Sequence, residues 1–461
     1  MKNYLLTASS RQSSIRRSYS NMILQLLFLF SMSCILFSCG KETLNKTEER
    51  ILTHEDSVAL GLIVPPDTTT TQSDPPTPPA AREIEVIIDG IIYKLNEDNL
   101  TAKVWGLDGE NTKSILIPES VHYNNTDYPV VTIGDGAFYY KTKIEKVKIK
   151  GENLKVIESM AFAKCFRLGE INFPNSITEI SHYAFHNCGL NGSISLPKSL
   201  KTIGKAAFGV CALTSVDFPD NLETIGDEAF YSTKLEDLII PKVKNIGAYA
   251  FQNCASLKSI KIHSGLERIG EKAFENCRKI REVYIPKTLQ SIEEDAFSNC
   301  VSIEKVMIED VSSWCRLSFP SCSSNPLYYG NRIYDFNGVE ITDVKIPNDI
   351  SIIGNHVFIG CKELRTVTIP ESISKIGYRA FMGCNNLENL SLPQSITEIE
   401  DEAFFGCKIP DIYCYATKVP KTGSLSFYGG QSNTTLHVPS QSISLYKATV
   451  PWKYFENIVG L

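Results

Sequence analysis

Nine cysteines each stand three residues after a phenylalanine: Cys165, Cys188, Cys211, Cys254, Cys277, Cys300, Cys361, Cys384 and Cys407. A thiolate beside a base could act as a nucleophile, and clustered thiolates could hold zinc. Nucleophilic catalysis needs one thiol in one special environment. Here the thiol recurs in register, with Lys141 and Thr233 at the same place in two further units. That recurrence reads as a small, weakly hydrogen-bonding packing residue. His182 and His186 have the i, i+4 spacing of a helical metal pair. Comparable positions elsewhere hold Gly, Lys, Glu or Tyr and no third ligand is evident, so exposed variation is the reading. Cys315 and Cys322 fall outside the register, seven apart, and could pair as a disulfide. The sequence contains no HExxH, GxSxG, phosphate-binding glycine loop or CxxC. No catalytic, cofactor-binding or metal-ligating residue is therefore assigned. Carboxylates such as Glu293, Glu294 and Asp295 read as a solvated charged face. An enzyme with a loop-built site would need a polar cluster that breaks the repeat, and none is visible.

The elements that carry these residues repeat. The phenylalanines fall at Phe138, Phe162, Phe185, Phe208, Phe230, Phe251, Phe274, Phe297, Phe358, Phe381 and Phe404, at intervals of 21–24 residues apart from one of 61. Each unit opens with L-x-x-I-x-I-P, as in LRTVTIP (Leu364 to Pro370), whose alternation predicts a short strand. The proline lacks a ladder donor and ends it. The second half is I-G-x-x-A-F-x-x-C. In IGEKAFENC, Ile269, Ala273, Phe274 and Cys277 form one apolar stripe, which predicts a short helix. Glu158, Ser181, Glu293 and Glu400 replace the glycine in other units, so it marks no compulsory left-handed position. One strand and one short helix per ~23 residues cannot bury their own apolar face, and stacking the units can. The predicted fold is an α/β solenoid of about 14 coils, short parallel strands on one face and short helices on the other. At ~4.8 Å per coil it would be about 65 Å long.

These blocks resemble the BspA-like class of leucine-rich repeats of bacterial surface proteins, over roughly residues 83–461. VIIDGIIYKLNEDNLTAKVWG (Val86 to Gly106) is similar to the opening of such domains, and LHVPSQSISLYKATVPWKYFENIVGL (Leu436 to Leu461) to their closing cap. An asparagine ladder after the strand, usual in other leucine-rich repeats, is missing. The expected organisation is an N-terminal cap over 82–125, repeats over 126–307 and 341–435, an irregular aromatic insert over 308–340, and a C-terminal cap over 436–461.

Ahead of the repeats, Arg16 and Arg17 precede the apolar run Met22 to Ser38, which reads as an export signal over residues 1–38. Leu36-Phe37-Ser38-Cys39 resembles a bacterial lipobox, which implies lipidation of Cys39 and an outer-membrane, surface-exposed location. The alternatives are an ordinary cleaved signal or an uncleaved anchor. Residues 39–81 then form the lipidated N-terminus and a Pro/Thr-rich linker, PPDTTTTQSDPPTPPA, whose composition cannot bury a core. The chain of 461 residues has a net charge of −6. Residues 1–38 hold four basic residues and no acid, leaving 42 basic against 52 acidic residues in the remainder. That balance gives no footprint for nucleic acid or an anionic membrane, so the only membrane contact expected is the anchor.

In solenoids, ligands meet the variable positions of a regular scaffold. The two outward strand positions vary, as in Glu170 and Asn172, Ser215 and Asp217, Ser259 and Lys261, Glu282 and Tyr284, or Thr366 and Thr368. They name no ligand. The insert concentrates Trp314, Tyr328, Tyr329 and Tyr334, which are candidate ligand contacts, although a similar segment in BspA-like arrays favours a structural coil variant. The resemblance implies a protein-binding, adhesin-like role toward host matrix or other cells. The alternative is a glycan-capture lipoprotein for nutrient uptake, for which an aromatic platform would be needed. No cofactor is expected.

Overall fold

Each repeat opens on a strand whose inward residues are those the alternation selects. In Glu282–Ile285, Val283 and Ile285 are buried while Glu282 and Tyr284 face outward. The computed structural model describes residues 82–461; Cys39 and the export run lie outside them. The described chain is a parallel solenoid of about 14 turns. Strands of successive coils pair in register, Asp237 against Ser259 against Glu282 against Lys305. Inside, Leu238, Ile260, Val283 and Val306 stack in the same way.

A second strand, two residues long, follows in the regular coils, such as Arg268–Ile269 or Ser291–Ile292. These pair into a sheet that begins with the antiparallel strands Glu83–Ile88, Ile91–Asn96 and Thr101–Leu107 and runs through seven coils to Ser291–Ile292.

The arc after Ile269 is a turn where a short helix was expected. Lys272 and Asn276 take φ of 50° and 61°, which an α-helix cannot contain. The N–H groups of Lys272, Phe274 and Asn276 donate to Glu294, Ala296 and Ser298 of the next coil, at 3.0, 2.8 and 2.8 Å. Those of Ala273, Glu275 and Cys277 close back onto Gly270, Lys272 and Phe274. Half of the donors therefore link coils and half close turns, so the backbone is satisfied without a helix. The reason is pitch: an α-helix with side chains is ~10 Å across, and paired strands hold the coils ~4.8 Å apart. Spacings of 4, 5 and 8 mimic a helix because the arc turns its residues inward at a similar interval.

The second left-handed position of the arc holds Asn187, Asn253, Asn276 and Asn299 in four coils, Gly360, Gly383 and Gly406 in three, and Tyr140, Lys164, Val210 and Ser232 in the rest. Asn and Gly tolerate this conformation best. The asparagine amides form their own ladder, Asn276 Nδ2 donating to Asn253 Oδ1 and Asn299 Nδ2 to Asn276 Oδ1, each at 3.0 Å. An asparagine ladder thus exists, on the turn arc. The glycine of the I-G pair has another role: a Cβ on Gly270 would lie 2.7 Å from Ala248 N in the preceding coil.

The core is a column of phenylalanines. Rings from Phe138 to Phe297 stack with centroids 5.0–5.6 Å apart. A second column runs through Phe358, Phe381, Phe404 and Phe427. Trp452 and Phe455 cover Phe427 at 5.1 and 5.4 Å and close that end.

Candidate binding surface

The cysteine register is interior. Cys277 is fully buried and its thiol donates to the Phe251 carbonyl at 3.2 Å. Cys165, Cys211, Cys254, Cys300, Cys384 and Cys407 make the same bond to the phenylalanine of the coil before. Burial pushes the Cys277 thiol well above its usual range, and those of Cys165 and Cys407 up to about 12. Such thiols stay protonated and out of reach, the opposite of an activated nucleophile. Cys315 and Cys322 are both free. Cys315 is buried, and Cys322 accepts a hydrogen bond from Arg379 Nη1 at 3.2 Å. His182 is exposed while the His186 ring is buried, 5.8 Å from Tyr231. Among the described residues no group of three or more His, Cys, Asp or Glu side chains is placed to hold a metal ion.

The insert contains the core's repair. Phe297 N–H donates to the Ser323 carbonyl, so Ser324 stands at the next ladder position and contributes no ring. Trp314, 1% exposed, lies in the core with its ring 5.3 Å from that of Phe319. Its Nε1 donates to Val357 O at 3.0 Å, and Asn325 Nδ2 donates to His356 O and Val357 O at 2.7 and 3.2 Å. Side-chain donors thus reach Val357 O, the carbonyl that a regular arc would reach with the N–H of its phenylalanine. Trp314 is removed from the candidate contacts for this reason. Tyr329 is partly buried, and its hydroxyl accepts the Asn299 N–H at 2.9 Å. Tyr328 packs edge-to-face on it at 5.0 Å. These two belong to the joint between coils.

Tyr334 lies elsewhere, on the strand Ile333–Asp335, which adds in parallel to Lys305–Ile308 and so extends the outward face. Its register neighbour is Met307, whose own neighbour is Tyr284. The turn that follows, through Asn337 and Gly338, carries Phe336, 42% exposed, which meets Tyr284 edge-on at 6.0 Å. Lys305 Nζ sits 5.9 Å from the Tyr334 ring. Tyr284, Tyr334 and Phe336 thus converge from two parts of the sequence. Phe336 escaped the sequence reading; the signal was a lone aromatic in the turn DFNG, where burial is least expected.

The arrangement is a regular scaffold with outward side chains that differ from coil to coil. The family description "BspA type leucine rich repeat region" matches residues 131–255, 244–326 and 332–450, more than half of the chain. The chain belongs to the BspA-type leucine-rich repeat family. A leucine-rich repeat protein from Bacteroides ovatus, known from its crystal structure, is 25% identical over 82% of this chain and 99% of its own, with a TM-score of 0.53. A leucine-rich cell surface protein from Faecalibacterium prausnitzii is 22% identical over 82% of this chain and 94% of its own, with a TM-score of 0.37. The pneumococcal vaccine antigen PcpA is 18% identical over 82% and 85%, also at 0.37. No curated protein matches the chain. As a BspA-type repeat protein it is a repeat scaffold, and its described residues contain no helix long and apolar enough to cross a membrane.

Proposed function

We propose that this BspA-type protein is a surface scaffold, lipid-anchored through Cys39 to the bacterial outer membrane, that binds other proteins by its outward strand face. Its role would be adhesion to host matrix or to other cells, without catalysis. The observation that carries this reading is the strand face itself. Inward positions repeat Leu, Ile and Val, while outward neighbours run Asp237, Ser259, Glu282 and Lys305, and Ile239 stands beside Lys261. A fixed core with a varied exterior is how solenoids encode binding. The test is to present the full chain to a panel of matrix proteins and to a glycan array. Saturable protein binding with a silent glycan array is expected, and the reverse result sinks the reading. For the anchor, Cys39→Ser should abolish metabolic palmitate labelling, and persistent labelling would remove Cys39.

A second reading, glycan capture for nutrient uptake, is favoured by one observation, the convergence of Tyr284, Tyr334 and exposed Phe336. It predicts glycan binding that Phe336→Ala abolishes.

A further inference from the structure

Charge is unevenly distributed along the array. From Lys141 to Arg167 the chain holds eight basic and three acidic residues, in a protein whose total is −6. The fold lines several of these up. On the strand Lys146–Ile149, Val147 and Ile149 are buried, so Lys146 and Lys148 face out, and exposed Lys150 continues the row. Nearby carboxylates answer only part of this charge. Glu145 lies 3.3 Å from Lys113 and 4.0 Å from Arg167, and Glu170 pairs with Lys146. Among the described residues Lys143, Lys148, Lys150 and Lys155 make no ion pair.

Apolar surface accompanies the lysines. Leu116, the register neighbour of Lys148, is 48% exposed. The turns leading into this strand and the next expose Tyr140 and Phe166, at 58% and 45%, packed edge-to-face at 5.9 Å. Tyrosines and other aromatics beside basic groups are typical anchors of protein interfaces.

The spacing narrows the partner. Alternate residues of a strand repeat every ~6.6 Å, so Lys146, Lys148 and Lys150 present cations at that period. An extended peptide with acidic residues at alternate positions presents carboxylates at the same period. Glu145 and Glu170 interrupt the basic surface, which disfavours a continuous phosphate backbone and tolerates discrete carboxylates. We propose that the outward face formed by Lys146, Lys148, Lys150, Leu116, Tyr140 and Phe166 docks an extended protein segment with acidic residues at alternate positions. This rests on the protein-binding reading above and names its partner chemistry.

The test titrates the full chain with a labelled peptide of alternating Glu and Thr, and with a peptide of the same composition in two blocks. The alternating peptide should bind at least about tenfold tighter. The double variant Lys148→Gln/Lys150→Gln should weaken it about tenfold or more, whereas Lys421→Gln, at the other end of the array, should not. Unchanged circular dichroism and thermal midpoint establish that the variants fold. Equal affinity for both peptides overturns the proposal. So does tighter binding of oligo(dT), heparin or phosphatidylglycerol vesicles than of the alternating peptide. If the peptide fails while the matrix panel binds, only this face assignment falls; if both are silent, the protein-binding reading falls with it.

Discussion

Phe274→Ala is the sharpest perturbation of the column that holds the coils together. The ring is fully buried and stacked on Phe251 at 5.5 Å and Phe297 at 5.4 Å, so one substitution damages two coil interfaces. Removing a buried phenylalanine costs ~3–5 kcal/mol through lost burial and the cavity left behind. The two ring contacts, at ~0.5–1.5 kcal/mol each, are part of that sum. Coils touch only their neighbours, so the loss cannot spread over the whole array. For a cooperative unit of ~150–250 residues it lowers the melting temperature by roughly 6–20 °C. The assay is thermal and urea unfolding followed by circular dichroism, with Phe166→Ala as the comparison because that ring is exposed. Phe166→Ala should stay within ~0.5 kcal/mol of the parent. A Phe274→Ala shift no larger than that of Phe166→Ala would refute the stacked-column account.

Other consequences are equally direct. In native alkylation mapped by mass spectrometry at pH 8, Cys322 should react first among residues 82–461, and Cys277 only after denaturation; rapid labelling of Cys277 would return it to the list of nucleophiles. Trp314→Phe removes one of the two side-chain donors to Val357 O, Asn325 keeping the other, and should cost ~1 kcal/mol in urea unfolding while leaving ligand binding by the folded fraction unchanged. Asp310 caps the helix Val311–Cys315 by accepting the Ser313 N–H. Burial opposes its ionisation, yet the hydrogen bonds from Ser313 and Ser312 and the charge of Arg316 hold its carboxyl below the usual range. Its contribution is therefore present at neutral pH and fades as pH falls through the carboxylate range. Asp310→Ala should cost ~1 kcal/mol at pH 7 and less at pH 3, and a cost that grows on acidification would contradict the sign.

The repeat, its period and its interior were legible in the sequence. Eleven copies of one block expose which residues are always apolar, and a residue that is apolar in every coil has to face the others. Nine cysteines in register made Cys277 a packing residue by a related logic, and burial with a thiol–carbonyl bond to Phe251 agrees. The arc was misread because spacing reports which residues turn inward and not how the backbone gets there. Helix and turn share that spacing, and only the coil pitch separates them. Asn or Gly two residues after the phenylalanine in seven of the eleven units was the sequence signal for the left-handed turn.

The insert marks the boundary of what sequence alone determined. It occurs once, so no second copy shows which of its aromatics are constant. Trp314 and Phe336 are both aromatic residues in an irregular segment, yet one is interior and one is at the surface. The difference lies in partners distant along the chain: Val357 is 43 residues beyond Trp314, and Tyr284 comes from a coil preceding the insert. The sequence alone determined the scaffold, because repetition turns a tertiary core into a periodic signal. Only the tertiary structure decided which side chains form its surfaces, because contacts between a unique segment and distant coils leave no period to read.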